Sequence, residues 1–319
     1  MKMVNNIRDS RIEILRCFFM FCICVLHSIT QGGYCHRWID NLMMPSVTGF
    51  VVISAWFGLS FRPSKVLRLI GVAAWCAIVV ACCFQKNVVI WSLQHYWFLW
   101  AYILLMLFAP IIDSAKLSLK VVLPLLLGVF AWGCVCDLSM FSTVLPHTAG
   151  LTAYSGVTFV GIYVAVRAFK QSQFINRITT KQLIWIAGIS ALICECGLYR
   201  YNSPFALTLT LSLVLLVQRM PQLPRLGVIA LNLSPSMFAV YMYHTGAGFN
   251  VLRSLEAYFV NTCGVPVYVT HILTALLVFW GCIVIDIPRR VLCVILRRPM
   301  SALWKWIDQS WSLLVAREI

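Results

Sequence analysis

Arg16 and His27 are the residues of this chain whose types and spacing are best suited to chemistry. Both lie in RIEILRCFFMFCICVLHS (residues 11–28), a run otherwise apolar enough to cross a membrane. A charged or titratable group at such depth is costly, and function is its default explanation. Eleven steps of about 100° come to roughly three helical turns, so the two side chains share one helix face, about 16 Å apart along the axis. Met20 and Ile23 lie on the line between them and either border a path or seal it. Glu13, three residues before Arg16, is within pairing reach. Arg16 is therefore either a ligand for an anionic group or one half of a structural ion pair. A neutral imidazole can take a proton from an alcohol, and its unperturbed pKa of about 6.5 suits that work. A guanidinium can hold phosphate or carboxylate through two parallel hydrogen bonds.

The elements that must position this pair follow from composition. Of 319 residues 61% are hydrophobic and only 11% charged, too little polar surface for a water-soluble globule and the make-up of a polytopic membrane protein. A net charge of +15 would suit nucleic acid if the basic residues gathered on one face. They sit instead in short loops between apolar runs, the signature of membrane topology, and no nucleic-acid partner is expected. Fourteen cysteines, some as Cys22/Cys24, Cys134/Cys136 and Cys194/Cys196, lack the paired spacing of a zinc site and read as small apolar fillers, so no metal is expected. The first run has the basic flank of a secretory signal but no small-x-small cleavage pattern after Leu26; with Arg16 and His27 inside it, it reads as a retained span.

Windows of about 18 to 22 mostly apolar residues give ten spans: roughly 12–32, 42–60, 66–84, 96–113, 119–138, 150–168, 182–199, 204–218, 227–247 and 267–287. The eighth is short, and Ser234-Pro235 interrupts the ninth. Period-two alternation is absent, and lipid leaves only helices to satisfy the backbone. Twenty of the 25 Lys/Arg fall in the N-terminus, alternate loops and the tail, against four in the other loops. That alternation predicts an all-α integral membrane protein of about ten transmembrane helices with cytoplasmic N- and C-termini. Arg16 then lies about one turn into the cytoplasmic side, and His27 past the midplane. Residues 1–287 form the membrane-embedded domain and 288–319 a basic amphipathic cytoplasmic tail. In that tail Leu303, Trp304, Ile307, Trp311 and Leu314 recur at helical spacing, with Lys305, Asp308 and Gln309 on other faces, as in a helix lying in the interface. No internal repeat of the kind found in inverted-half transporters is present.

The order arginine, ten residues, histidine in a first span preceded by Glu13 resembles the acyltransferase family 3 membrane proteins, also called the sugar O-acyltransferase group. Later stretches match in the same order over about residues 7–290. PSVTGFVVISAWFG (45–58) is similar to the second-span pattern ending in Ser-Gly-aromatic, with Ala55 where glycine is usual. RPSKVLRLI (62–70) looks like the basic cytoplasmic loop, Lys65 standing for the usual arginine before Arg68 and no proline closing the motif. HYWFLWAYILLMLFAPII (95–112) is close to the His-x-Trp-Phe-Leu span, TFVGIYVAVRAFK (158–170) to the sixth, and NLSPSMFAVYMYHTG (232–246) to the late Ser-x-x-x-Tyr-x-x-His segment.

The resemblance implies a membrane-bound O-acyltransferase of a bacterial cytoplasmic membrane. It would move an acyl group, commonly acetyl, from cytoplasmic acyl-CoA to a hydroxyl of a surface polysaccharide or its lipid-linked precursor. Acyl-CoA is then a co-substrate, and no tightly bound cofactor is expected. His27 would be the catalytic base or acyl relay and Arg16 its partner on the donor side. Arg62, Lys65 and Arg68 suit the CoA phosphates; positive-inside bias explains Arg62 equally well and Arg68 less well. Glu13, His95, Trp97, Tyr241 and His244 are candidates for the acceptor side or cavity, although an aromatic belt explains His95 and Trp97 equally well. His36, His147 and His271 lie in or near outer loops. Asp113, Glu195 and Asp286 lie at span ends, where pairing is the default. The alternative function is a carrier or flippase for a lipid-linked glycan, in which Arg16 and His27 bind without chemistry; a third is a sensor or accessory subunit.

Overall fold

A computed structural model of the chain describes residues 9–31, 37–84, 96–115, 122–124, 127–128, 147–172, 174–196, 203–245 and 247–317. Among the described residues every regular element is helical. The first half holds α1 (Ser10–Gln31), α2 (Arg37–Met43), α3 (Pro45–Phe57), α4 (Pro63–Phe84), α5 (Trp97–Ser114), α6 (His147–Gln171) and α7 (Phe174–Arg177). The second holds α8 (Thr180–Glu195), α9 (Pro204–Arg219), α10 (Pro224–Leu233), a 3-10 turn at Ser234–Ser236, α11 (Met237–His244) and α12 (Ala247–Ala257). A π turn at Tyr258–Thr262, α13 (Val267–Ile295) and α14 (Arg297–Arg317) complete the chain.

Local sequence explains these boundaries. Pro45, Pro63, Pro204 and Pro224 each stand first in a helix, where the missing N–H would have had no intrahelical partner. Thr179 and Gln182 form a reciprocal capping box at the head of α8, and the Ser203 hydroxyl accepts from the Phe205 N–H at the head of α9. α3 stops at Gly58, whose φ of 84° is open to glycine at little cost. The ninth window is one apolar stretch broken where Ser234-Pro235 turns it through a 3-10 segment.

Helices occupy nine of the ten expected windows; most of 119–138 lies outside the described residues. Among the described residues five stretches are long and apolar enough to cross a membrane by length and composition: Ile39–Phe57, Pro63–Cys83, Trp97–Ser114, Pro224–His244 and Val267–Ile295. They make the chain an integral membrane protein. The structure departs from the sequence expectation in its additional helices, the short α2 and α7 and the longer α12, and in α13, which runs on through residue 287 to Ile295.

Two hydrophobic cores share α1. Ile12, Leu15, Phe19 and Ile23 belong to the one built with α3, α5, α6 and α9. Met20, Cys24 and Val25 belong to the other, built with α4, α11 and α13. α1 thus stands at the seam between them, in contact with α3, α9, α10, α11, α12 and α13. Its approach to α3 is close: a Cβ on Gly49 would fall 2.3 Å from the buried Phe19 ring.

Candidate active site

The N-terminal end of α1 is anchored before the site begins. Arg11 donates to the Gln218 and Met220 carbonyls at the end of α9, at 2.6 and 2.9 Å, a favourable place for a cation on a helix C-terminus. Asp9 pairs with the same guanidinium at 2.8 Å, and that hydrogen bond holds its carboxyl below the ordinary aspartate value. One turn on, Arg16 donates to Glu13 Oε1 at 2.7 Å. Glu13 is only 2% exposed, and its other oxygen has no hydrogen-bond partner among the described residues.

The seam beside α1 holds a cavity of about 380 Å³. Arg16, Met20, Ile23 and His27 line it in the order of the α1 face that the spacing defines. Met20 and Ile23 are therefore walls of the space that also reaches Arg16 and His27. The opposite side is aromatic: Phe50 from α3, Trp97, Phe98 and Tyr102 from α5, and Phe238 and Tyr241 from the α11 region. Ser54 and Tyr102 add a polar patch, their hydroxyls 2.9 Å apart. Phe98 holds Tyr241 with ring centroids 5.4 Å apart and stacks on Tyr102 at 5.9 Å. Such walls are the usual make-up of a small-molecule site, apolar with a few convergent polar groups.

His27 does not stand alone. Its Nδ1 lies 2.7 Å from Nε2 of His244, and the two rings stack with centroids 4.8 Å apart. His244 Nδ1 in turn lies 2.6 Å from the Val240 carbonyl one turn back along α11. His244 is fully buried behind His27, which is the member of the pair that lines the cavity. The next residue on α1, Ser28, faces away and donates to Glu256 Oε1 of α12. His271 Nδ1 of α13 donates to the same oxygen at 2.9 Å. This wholly buried knot pins α12 and α13 to the turn of α1 that carries His27.

The structure thus gathers Arg16, His27, Trp97 and Tyr241 around one cavity, with His244 against His27 and Glu13 against Arg16. Arg62, Lys65 and Arg68 do not line it; Leu69, the residue after Arg68, does. Lys65 donates to the Ser60 hydroxyl at 2.7 Å, and Arg68 lies 5.2 Å above the Trp304 ring of α14. His95 lies outside the described residues, as does His36. His147 opens α6, and His271, placed by sequence near an outer loop, is fully buried in α13 because α12 folds Glu256 back onto it. Asp113 pairs with Arg167 at 2.7 Å and Asp286 with Arg289 at 2.6 Å, as span-end carboxylates should. Sequence reasoning missed Ser54, Tyr102 and Glu256. Ser54 lay within a stretch already singled out, whereas nothing in the spacing of Glu256 and His271 marks them as partners, since a π turn separates their helices. Among the described residues no group of three or more His, Cys, Asp or Glu is placed to hold a metal.

An all-helical chain with several apolar spans and a half-buried histidine facing a cavity between its helices is, as a class, a membrane protein with a site set among its helices. The comparison with protein families is specific: the model described as an acyltransferase domain, that of acyltransferase family 3, matches residues 9–287. The chain belongs to that family and is a membrane acyltransferase. No curated protein and no solved structure gives a significant match to it.

Proposed function

We propose that the protein transfers an acyl group, in the first place acetyl, from acyl-CoA to a hydroxyl of a surface polysaccharide or its lipid-linked precursor. The observation that carries this reading is the single cavity lined by both Arg16 and His27 in a chain of this family. In this reading the chain crosses a bacterial cytoplasmic membrane about ten times with both termini cytoplasmic, as the loop charges favour. The donor enters from the cytoplasm. Arg16, with Arg62, Lys65 and Arg68 around the head of α4, holds its phosphates, while the thioester reaches along the α1 face toward His27. The aromatic side, with Trp97 and Tyr241, packs the sugar and the pantetheine arm. Glu13 keeps the Arg16 guanidinium aimed.

The chemistry balances with these groups. The acceptor hydroxyl oxygen attacks the thioester carbonyl carbon as His27 takes its proton; the C–S bond then breaks, and the proton passes from His27 to the leaving thiolate. The products are an ester and free CoA. Mass analysis of surface glycan from cells with and without this gene tests the reading. The expected result is loss of one acyl ester per modified unit in the deletion strain, with glycan export intact. Unchanged acylation with export lost would contradict it and assign the protein to a carrier.

A further inference from the structure

The hydrogen bonds around His244 fix more than its own position. The Val240 carbonyl only accepts, so the nitrogen 2.6 Å from it, His244 Nδ1, carries a proton. His244 Nε2 is then bare if the ring is neutral and a donor if it is cationic. Its ring nitrogens face a carbonyl and another imidazole, neither of them a carboxylate, and the residue is fully buried. A buried cation without an anionic partner is strongly disfavoured. The 2.7 Å contact therefore runs from His27 Nδ1–H to His244 Nε2, and the neutral His27 ring keeps its lone pair on Nε2.

We propose that His244 is a positioning residue for His27: the chain from the Val240 carbonyl through His244 to His27 Nδ1–H fixes the tautomer and ring plane in which Nε2 is the proton acceptor. The inference rests on the reading of His27 as the base. An isolated imidazole exchanges between tautomers, and the one protonated on Nε2 has no lone pair for a substrate hydroxyl on that edge. As His27 Nε2 takes the hydroxyl proton and the ring becomes cationic, the same Nδ1–H···Nε2 bond strengthens, since its donor is now charged. No proton needs to move between the rings, and His244 touches no reacting atom. The role corresponds to that of an orienting group behind a catalytic imidazole, with a neutral acceptor in place of a carboxylate.

Two measurements on the full-length protein in lipid nanodiscs test this. Heteronuclear NMR with ring-labelled histidine, His27 assigned through His27→Asn, should show Nδ1 protonated and Nε2 bare in the wild type. Transfer from acetyl-CoA to the glycan of native membranes should fall in kcat for His244→Leu by about a hundredfold or more, the scale of a misplaced general base. KM for acetyl-CoA should stay within about twofold, because donor binding is untouched. His244→Gln, whose amide oxygen reaches the place of Nε2, should recover most of the rate at equal protein abundance. A wild-type His27 protonated on Nε2, a wild-type rate in His244→Leu, or equal losses in the Leu and Gln variants would each overturn the inference. Undiminished transfer by His27→Ala would remove the reading beneath it, and the inference with it, whatever the NMR shows.

Discussion

A buried arginine is useful to a substrate only to the extent that its partner leaves it a free edge. Arg16 spends one bond on Glu13 and keeps its side chain 32% exposed along the cavity, whereas Glu13 is nearly sealed. Arg16→Met alone strands that carboxylate; breaking a buried pair from one side costs on the order of 3–5 kcal/mol, and the exposure of Arg16 puts this case at or below the lower end. Glu13→Gln together with Arg16→Met should restore the thermal midpoint in detergent but not acyl transfer. Recovery of transfer in the double variant would reduce Arg16 to a structural role. The Ser54–Tyr102 bond is a smaller matter: Tyr102→Phe should cost about 1 kcal/mol and leave KM for acetyl-CoA the more informative number. At this scale the Arg16–His27 face was legible because helix geometry alone dictates it. The pairing of His27 with His244 was not, since residues more than two hundred positions apart meet only through the packing of α11 on α1.

Among the helices, α1 is the part that every other must fit. Gly49 lets α3 close on Phe19, and Gly49→Ala forces either the ring or the helix to shift, a strain of about 1–3 kcal/mol. It should lower the thermal midpoint, while Gly71→Ala in α4, where a Cβ meets nothing within 4 Å, should leave it unchanged or raise it. Equal behaviour of the two variants would mean that α1 and α3 are not in this contact. The spans themselves were readable because apolar runs of membrane length, opened by Pro45, Pro63, Pro204 and Pro224, leave little choice of element. α12 was not readable: its sequence, AGFNVLRSLEA, mixes polar and apolar residues over a length too short to span. Its reason for existing, the delivery of Glu256 to Ser28 and His271, is a tertiary one.

At the scale of the whole molecule, the tail is tied to the proposed donor mouth. Asp308 of α14 accepts from the Ser64 N–H and hydroxyl at the head of α4, at 3.1 and 2.8 Å, as an N-cap supplied by another helix. Trp304 lies under Arg68, and Trp311 packs edge-on against Phe61. Losing a cap costs about 0.5–2 kcal/mol. Asp308→Ala should therefore speed tryptic cleavage after Arg297 and Lys305 without releasing the helices before them; unchanged cleavage would mean that other contacts hold α14. The helical tail was legible from its spacing, but that spacing only set Asp308 apart from the apolar positions and could not name α4 as its partner. The account as a whole stands on His27. Membranes containing the full-length protein, given acetyl-CoA carrying a labelled acetyl group, should pass label to their glycan. His27→Ala, present in the membrane at the same abundance, should pass none above the background of membranes lacking the protein. Transfer by that variant at the wild-type rate would contradict the account.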